Sequence, residues 1–310
     1  MVVKVFFAAG AALWAEYRAP LKQAFAAAGL DVALSDTVGP PELVDYIVFA
    51  PGGVISDFAP YVRVKAVLNL WAGVERIVGN PTLVQPLCRM VDPALTAGMV
   101  EYVVGHVLRH HLGMDRHILK QAGWSQVPVP LARERRVAML GMGELGQASA
   151  AALQGLGFAV TGWSRTAREV PGIACRHGEV GLEQCLRAAQ IVVTLLPLTP
   201  ATEGLLDARR LGWLPEGAVI INPGRGGLID DAALLAALDG GRLGHATLDV
   251  FRTEPLPTGH PFWTHPRVTV TPHVAAATRA ASAAAVVAEN IRRGESGLAL
   301  LHLVDRAQGY

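Results

Sequence analysis

An arginine, a glutamate and a histidine stand in three short polar islands between Val219 and Ala277. Ile221-Asn222-Pro223-Gly224-Arg225-Gly226-Gly227 follows the apolar run Ala218-Val219-Ile220-Ile221. Leu248-Asp249-Val250-Phe251-Arg252-Thr253-Glu254-Pro255 supplies the acid, and Thr271-Pro272-His273 follows Val268-Thr269-Val270. Each island lies just past a run that reads as a buried strand. In an open parallel α/β sheet the ends of neighbouring strands meet in one crevice, where ligands bind. There an Arg could hold an anion and polarise a carbonyl beside it, while a His supplies a proton near neutral pH. The three residue types fit the reduction of an anionic carbonyl compound.

That chemistry needs a hydride source. Gly141-Met142-Gly143-Glu144-Leu145-Gly146 is a G-x-G-x-x-G turn set directly after the apolar run Val137–Leu140 and opening a helical pattern. In that context the first Gly permits a tight turn and the second lets the backbone approach a pyrophosphate. The third lets helix and strand pack closely. The N–H groups of the helix start then face the phosphates. The next strand, Ala159–Trp163, should end in an acid that holds the ribose hydroxyls of NAD. It ends instead in Ser164-Arg165-Thr166, with Arg168 just beyond. Without a carboxylate to repel it, a 2′-phosphate can pair with Arg165. NADPH is the expected cofactor and NADH a possible one; an Arg165 that is merely a solvated loop charge would leave the choice unbiased.

The elements that must position these residues alternate between strand and helix. Strands are predicted at Val3–Ala8, Asp31–Leu34, Tyr46–Ala50 and Lys65–Leu70, with a helix over Trp14–Ala28. Glycine-rich strand ends at 51–53 and 71–73 are candidate ligand loops. A long helix runs from Pro93 to about Gln121, with Leu95, Met99, Tyr102, Val103 and Val107 on one side, until Gly123-Trp124 breaks it. A second alternating unit follows: strands at Val137–Leu140, Ala159–Trp163, Ile191–Leu196, Ala218–Ile221, Ala246–Asp249 and Val268–Thr271, and helices at Leu145–Gly155 and Arg279–Arg293. This rhythm predicts α/β architecture with parallel sheets covered on both faces.

Composition bounds the rest. A chain of 310 residues can form two domains. A formal charge of +1 with 17% charged residues offers no basic patch, which argues against a nucleic-acid partner. Cys88, Cys175 and Cys185 form no CxxC pair and leave one over, favouring reduced thiols and a cytoplasmic protein. The start Met1-Val2-Val3-Lys4 reads as a first strand rather than a targeting leader. No apolar run reaches the roughly 20 residues that span a bilayer. His106 and His110 have metal-ligand spacing on the long helix, with His111 and His117 nearby, but no acid completes a set, so no metal is expected.

Taken together, Gly141–Gly146, Asn222-Pro223-Gly224-Arg225-Gly226, Leu248–Phe251 with Glu254-Pro255, and Thr271-Pro272-His273 resemble the D-isomer-specific 2-hydroxyacid dehydrogenases. Leu196-Pro197-Leu198-Thr199 with Thr202 and Gly204-Leu205 resembles that family's loop beside the cofactor. The resemblance covers essentially the whole chain. Asn69–Val74, Trp163–Thr166 and the tail Asp305–Tyr310 are most similar to the members that reduce glyoxylate and hydroxypyruvate.

The resemblance implies two Rossmann-like, doubly wound parallel-sheet domains with the active site in the cleft between them. A discontinuous substrate-binding domain would comprise 1–94 and 278–310, and a dinucleotide-binding domain 95–277. Arg225, Glu254 and His273 would be catalytic: Arg225 clamping the carboxylate, His273 donating the proton, Glu254 orienting the imidazole and favouring its charged form. Cofactor contacts would come from Gly141, Gly143, Glu144, Leu145, Gly146, Ser164, Arg165, Thr166, Leu196, Pro197, Thr202, Pro223, Gly224, Arg225, Asp249 and His273. Asp249 could equally be a capping residue. Trp71, Ala72 and Gly73, with Arg225 and His273, would bind substrate. Trp71 either walls a small pocket or is a core residue. The implied activity is NADPH-dependent reduction of a small 2-oxo acid, glyoxylate to glycolate or hydroxypyruvate to D-glycerate, by a homodimer to which Trp124 could contribute. Two other readings compete: a dehydrogenase for a bulkier 2-oxo acid, and a non-catalytic nucleotide-sensing protein on the same fold.

Overall fold

The computed structural model describes residues 2–37, 39–118, 124 and 126–310. The chain forms two compact units, one of Met1–Leu95 with Ala277–Tyr310 and one of Thr96–Ala276.

In the first unit, β1 (Val3–Phe7), β2 (Val32–Ser35), β3 (Tyr46–Phe49), β4 (Ala66–Asn69) and β5 (Leu87–Cys88) form a parallel sheet ordered β2-β1-β3-β4-β5. Every residue of β3 and β4 is buried, as expected for a parallel sheet covered on both faces. Helix α1 (Ala11–Ala27) buries Tyr17, Leu21 and Phe25, one stripe at spacings of four. The C-terminal helix, Ala280–Glu295, packs with it through Ala283, Val287 and Ile291. Phe58, Tyr61 and Leu83 cover the other face. In the glycine-rich segment after β3, a Cβ on Gly53 would collide with the carbonyl of Ala8, whereas one on Gly52 would meet nothing within 4 Å.

The second unit is built on a seven-stranded parallel sheet. Its strands are β6 (Arg136–Leu140), β7 (Ala159–Ser164), β8 (Ala174–His177), β9 (Ile191–Thr194), β10 (Ala218–Asn222), β11 (Leu243–Leu248) and β12 (Val268–Val270). The order is β12-β11-β10-β9-β6-β7-β8, all parallel. The chain therefore winds outward in both directions from β6 and β9, so the topological switch point lies between those two strands. Helix α2 (Pro93–His111) covers one face with Met99, Val103 and Val107 against Val137, Met139 and Val193.

The expected run of α2 to Gln121 needs correction. The helix ends at His111, and Gly113 takes a left-handed φ of 60° while Met114 N–H donates back to Arg109 O. This is a glycine-terminated helix end. A separate turn, α3 (Asp115–Ile118), follows. Gln121 and Gly123 lie outside the described residues. Sequence reading also missed β5, β8 and the helices α4's successors: after α4 (Glu144–Gly155) come α5 (Gly178–Ala188), α6 (Ala208–Leu211) and α7 (Asp231–Asp239). Among the described residues no helix is long and apolar enough to cross a membrane.

Candidate active site

The three polar islands lie at the C-terminal ends of β10, β11 and β12, which are consecutive neighbours in the sheet. At the end of β10 the buried Asn222 organises the turn. Its Oδ1 accepts from Thr194 Oγ1 (2.6 Å) and Gly224 N (3.1 Å), and its Nδ2 donates to Arg225 O (2.9 Å). One side chain thus fastens the turn to the end of β9 and fixes the backbone that carries Arg225. Glycine is required here by space: a Cβ on Gly226 would collide with the backbone of Phe251, so the first two islands pack directly on each other. Arg225 is partly buried, and its Nη1 donates to Gly224 O at 2.7 Å.

Glu254 holds two things at once. Its Oε1 accepts the backbone N–H of Phe251 (2.9 Å), pinning its own loop, and its Oε2 accepts from His273 Nδ1 (2.8 Å). About half of the His273 side chain remains exposed. With Nδ1 bound to a carboxylate, Nε2 is the other ring nitrogen of this half-exposed side chain. His273 has a left-handed φ of 53°, unusual for a residue with a side chain. Asp249, fully buried, accepts from Thr271 Oγ1, Val274 N and Ala275 N at 2.6, 2.9 and 3.0 Å, so its carboxylate caps the loop carrying His273.

The glycine turn lies at the switch point, after β6. Gly141 has a φ of 108° and backs onto Leu195, and a Cβ on Gly146 would collide with Gly141 O. Gly143 differs: a Cβ there would meet nothing within 4 Å. Only the second glycine leaves open space in front of the backbone, where a pyrophosphate would approach. Gly143 caps α4, so no N-cap side chain occupies the N–H groups of the first turn. Glu144 is exposed and Leu145 partly buried at this helix start.

At the end of β7, Ser164 Oγ donates to Thr166 O (2.8 Å), closing the turn, and Arg165 is exposed. Arg168, given no role in the expected site, donates from Nη1 to Met142 O at 3.1 Å, which brings its guanidinium to the glycine turn. No carboxylate occurs between Ser164 and Arg168. After β9, Thr202 Oγ1 donates to Pro197 O (2.7 Å) and accepts from Thr199 N (2.8 Å). The Thr202 hydroxyl thus shapes the loop that presents Leu196 and Pro197.

In the first unit, Trp71 follows β4 with 41% of its surface exposed, so it is not a core residue. Buried Asn69 donates to both Trp71 O (2.8 Å) and Gly73 O (3.0 Å) and holds the Trp71-Ala72-Gly73 turn. Trp124 is 92% exposed.

The histidines of α2 are packing residues. His110 Nε2 pairs with Thr247 Oγ1 (2.9 Å), and His245 Nε2 with Thr269 Oγ1 (2.8 Å). Their rings lie 5.0 Å apart. Burial first, and neighbouring positive charge second, push His110 down to about 3 and His245 to about 4. Among the described residues no three His, Cys, Asp or Glu side chains are grouped to hold a metal ion.

Residues 103–275, more than half of the chain, match the family model described as D-isomer specific 2-hydroxyacid dehydrogenase, NAD binding domain. The chain belongs to the D-isomer-specific 2-hydroxyacid dehydrogenase family, NAD(P)-dependent oxidoreductases. Among its relatives is the glyoxylate/hydroxypyruvate reductase A of Salmonella paratyphi B, 39% identical over 257 residues, covering 80% of this chain and 82% of that protein. A D-isomer specific 2-hydroxyacid dehydrogenase from Xanthobacter autotrophicus Py2, solved with NADPH and MES, superposes with a TM-score of 0.91 at 40% identity, over 99% of both chains. The NADPH-dependent glyoxylate/hydroxypyruvate reductase of Sinorhizobium meliloti, solved with NADP and sulfate, gives 0.85 at 34% identity, over 99% of this chain and 100% of that one.

Proposed function

We propose that this protein reduces a small 2-oxo acid with NADPH, converting glyoxylate to glycolate or hydroxypyruvate to D-glycerate. The observation that carries the reading is the 2.8 Å pair of His273 with Glu254, on strand ends beside the one that carries Arg225. The unit of Thr96–Ala276 would bind the dinucleotide and the other unit would contribute Trp71, Ala72 and Gly73 as substrate contacts. Gly143 and the start of α4 suit the pyrophosphate. Arg165, at the end of β7, suits a 2′-phosphate. The relatives solved with NADPH or NADP support the same choice.

When bound, the reduced nicotinamide supplies a hydride to C2 of the oxo acid. Arg225 holds the carboxylate with its planar fork and stabilises the charge that grows on the carbonyl oxygen. His273 gives that oxygen a proton from Nε2, while Glu254 keeps the ring aimed through Nδ1. Trp71 limits the substrate to two or three carbons. The reading includes a cytoplasmic homodimer, with exposed Trp124 as a candidate contact.

Steady-state rates on glyoxylate, hydroxypyruvate, pyruvate and phenylpyruvate with NADPH and with NADH test it. The highest kcat/KM should fall on glyoxylate or hydroxypyruvate with NADPH. A preference for phenylpyruvate would replace the substrate assignment, and cofactor binding without turnover of any 2-oxo acid would leave a nucleotide sensor.

A further inference from the structure

We propose that Tyr102 and Thr271 are positioning residues, which act through the Asp249 carboxylate to hold His273 in its proton-donating pose. The inference rests on the reading of His273 as the proton donor and adds how the loop beneath it is held.

The geometry is a chain with a direction. Tyr102 on α2 and Thr271 share a hydrogen bond of 2.7 Å between their hydroxyls, and Thr271 Oγ1 lies 2.6 Å from Asp249 Oδ1. A carboxylate only accepts, so the single hydroxyl hydrogen of Thr271 goes to Asp249. The Tyr102 hydroxyl must then be the donor to Thr271. Burial, the largest influence on it, pushes Tyr102 up to about 12, so it keeps its hydrogen throughout the working range.

Asp249 uses what it receives on both sides of the histidine. It takes Thr271 before His273, and the N–H groups of Val274 and Ala275 after it. Its backbone carbonyl accepts the N–H of His273 itself at 2.8 Å. The residue so enclosed is the one with the left-handed φ of 53°, a conformation that persists in a side-chain-bearing residue only when its surroundings enforce it. The ring's approach to Glu254 follows from that backbone conformation. Thr271 aims one oxygen of Asp249, and Tyr102 anchors Thr271 to the helix packed across the sheet.

The decisive substitution is Thr271→Val, which keeps the side-chain shape and deletes the hydroxyl, with Thr271→Ser as the rescue. Rates on glyoxylate are expressed per NADPH-binding site, so that loss of folded protein does not count as loss of rate. T271V should lower kcat by about ten- to hundredfold, the scale on which small misplacement of a reacting group acts, with NADPH binding unchanged. T271S should restore most of the rate. In the double variant T271V/H273A, kcat should equal that of H273A alone, because residues that act as one unit are not additive. Three results would overturn the proposal: T271V with wild-type kcat, T271S as slow as T271V, or a double variant slower than H273A by the T271V factor. Tyr102→Phe carries the same cycle should T271V not fold. The H273A control is read first and by itself, since near-normal turnover in it sinks the donor reading beneath this one.

Discussion

The two units share one architecture and differ at their strand ends. In the first unit, β1 runs into Ala8-Ala9-Gly10, β3 into Ala50-Pro51-Gly52-Gly53 and β4 into Leu70-Trp71-Ala72-Gly73, with no ionisable side chain among them. Single charges follow only the edge strands β2 (Asp36) and β5 (Arg89). In the second, the ends of β10, β11 and β12 deliver Arg225, Asp249, Glu254 and His273 within three adjacent loops. Parallel sheets of buried aliphatic strands are a frame common to both. Chemistry depends on which few polar residues follow the strands, and on what holds them still. In the second unit the holding is done by buried polar side chains, Asn222 beneath Arg225 and Asp249 beneath His273.

The largest effect that would break this contrast is at His273. His273→Ala should lower kcat by about a hundredfold or more, the usual scale of general acid catalysis, with NADPH still bound. Stopped-flow or steady-state rates beside a fluorescence titration of NADPH would check both halves. Next comes the cofactor turn. Arg165→Ser should cut kcat/KM for NADPH by about tenfold, the order of one lost charge-assisted bond, and leave that for NADH nearly unchanged. An equal loss with both cofactors would remove Arg165 from phosphate recognition.

A smaller effect belongs to the apolar strand ends of the first unit. Trp71→Ala should raise the kcat/KM of phenylpyruvate relative to glyoxylate by several-fold, on the scale of a pocket wall that changes steric fit. An unaltered ratio would show that Trp71 does not limit substrate size. The smallest concerns stability. His110 and His245 take up protons less readily when folded than when unfolded, so the unfolded chain binds more protons below about pH 6.5, where an unperturbed His begins to charge. Stability should therefore fall as pH drops from about 6.5 toward the folded values near 3 to 4. Thermal melts between pH 7 and 5, above most carboxylate titration, should show a falling Tm that flattens in His245→Gln. An equally steep fall in the variant would clear His245 of the effect.

The candidate residues were legible as candidates because polar islands follow apolar runs, Arg225 after β10, Glu254 after β11 and His273 after β12. The glycine turn was legible because its spacing answers separate demands, two of them steric and visible at Gly141 and Gly146, while Gly143 keeps the space before it open. The supports were not legible. Tyr102 read as one more member of an apolar helix face, although its hydroxyl had to find a partner, and that partner lies 169 residues away. Asn222 was part of a recognised motif but had no role until Thr194 and Arg225 O appeared beside it. Helix α2 was drawn too long because the flanking residues 112 to 118 remain compatible with a helix. The signal that outweighed them was Gly113, whose missing Cβ makes a left-handed end inexpensive.

Gly143 has one more use. Its φ of −79° suits any residue and the space before it is empty, so an alanine there strains nothing in the ligand-free chain. The added methyl group would stand only in the path of a bound diphosphate. Gly143→Ala thereby separates the fold from its occupant. The melting temperature of the empty protein reports the fold, and the upward shift on adding a nucleotide reports how closely two phosphates can come to the backbone.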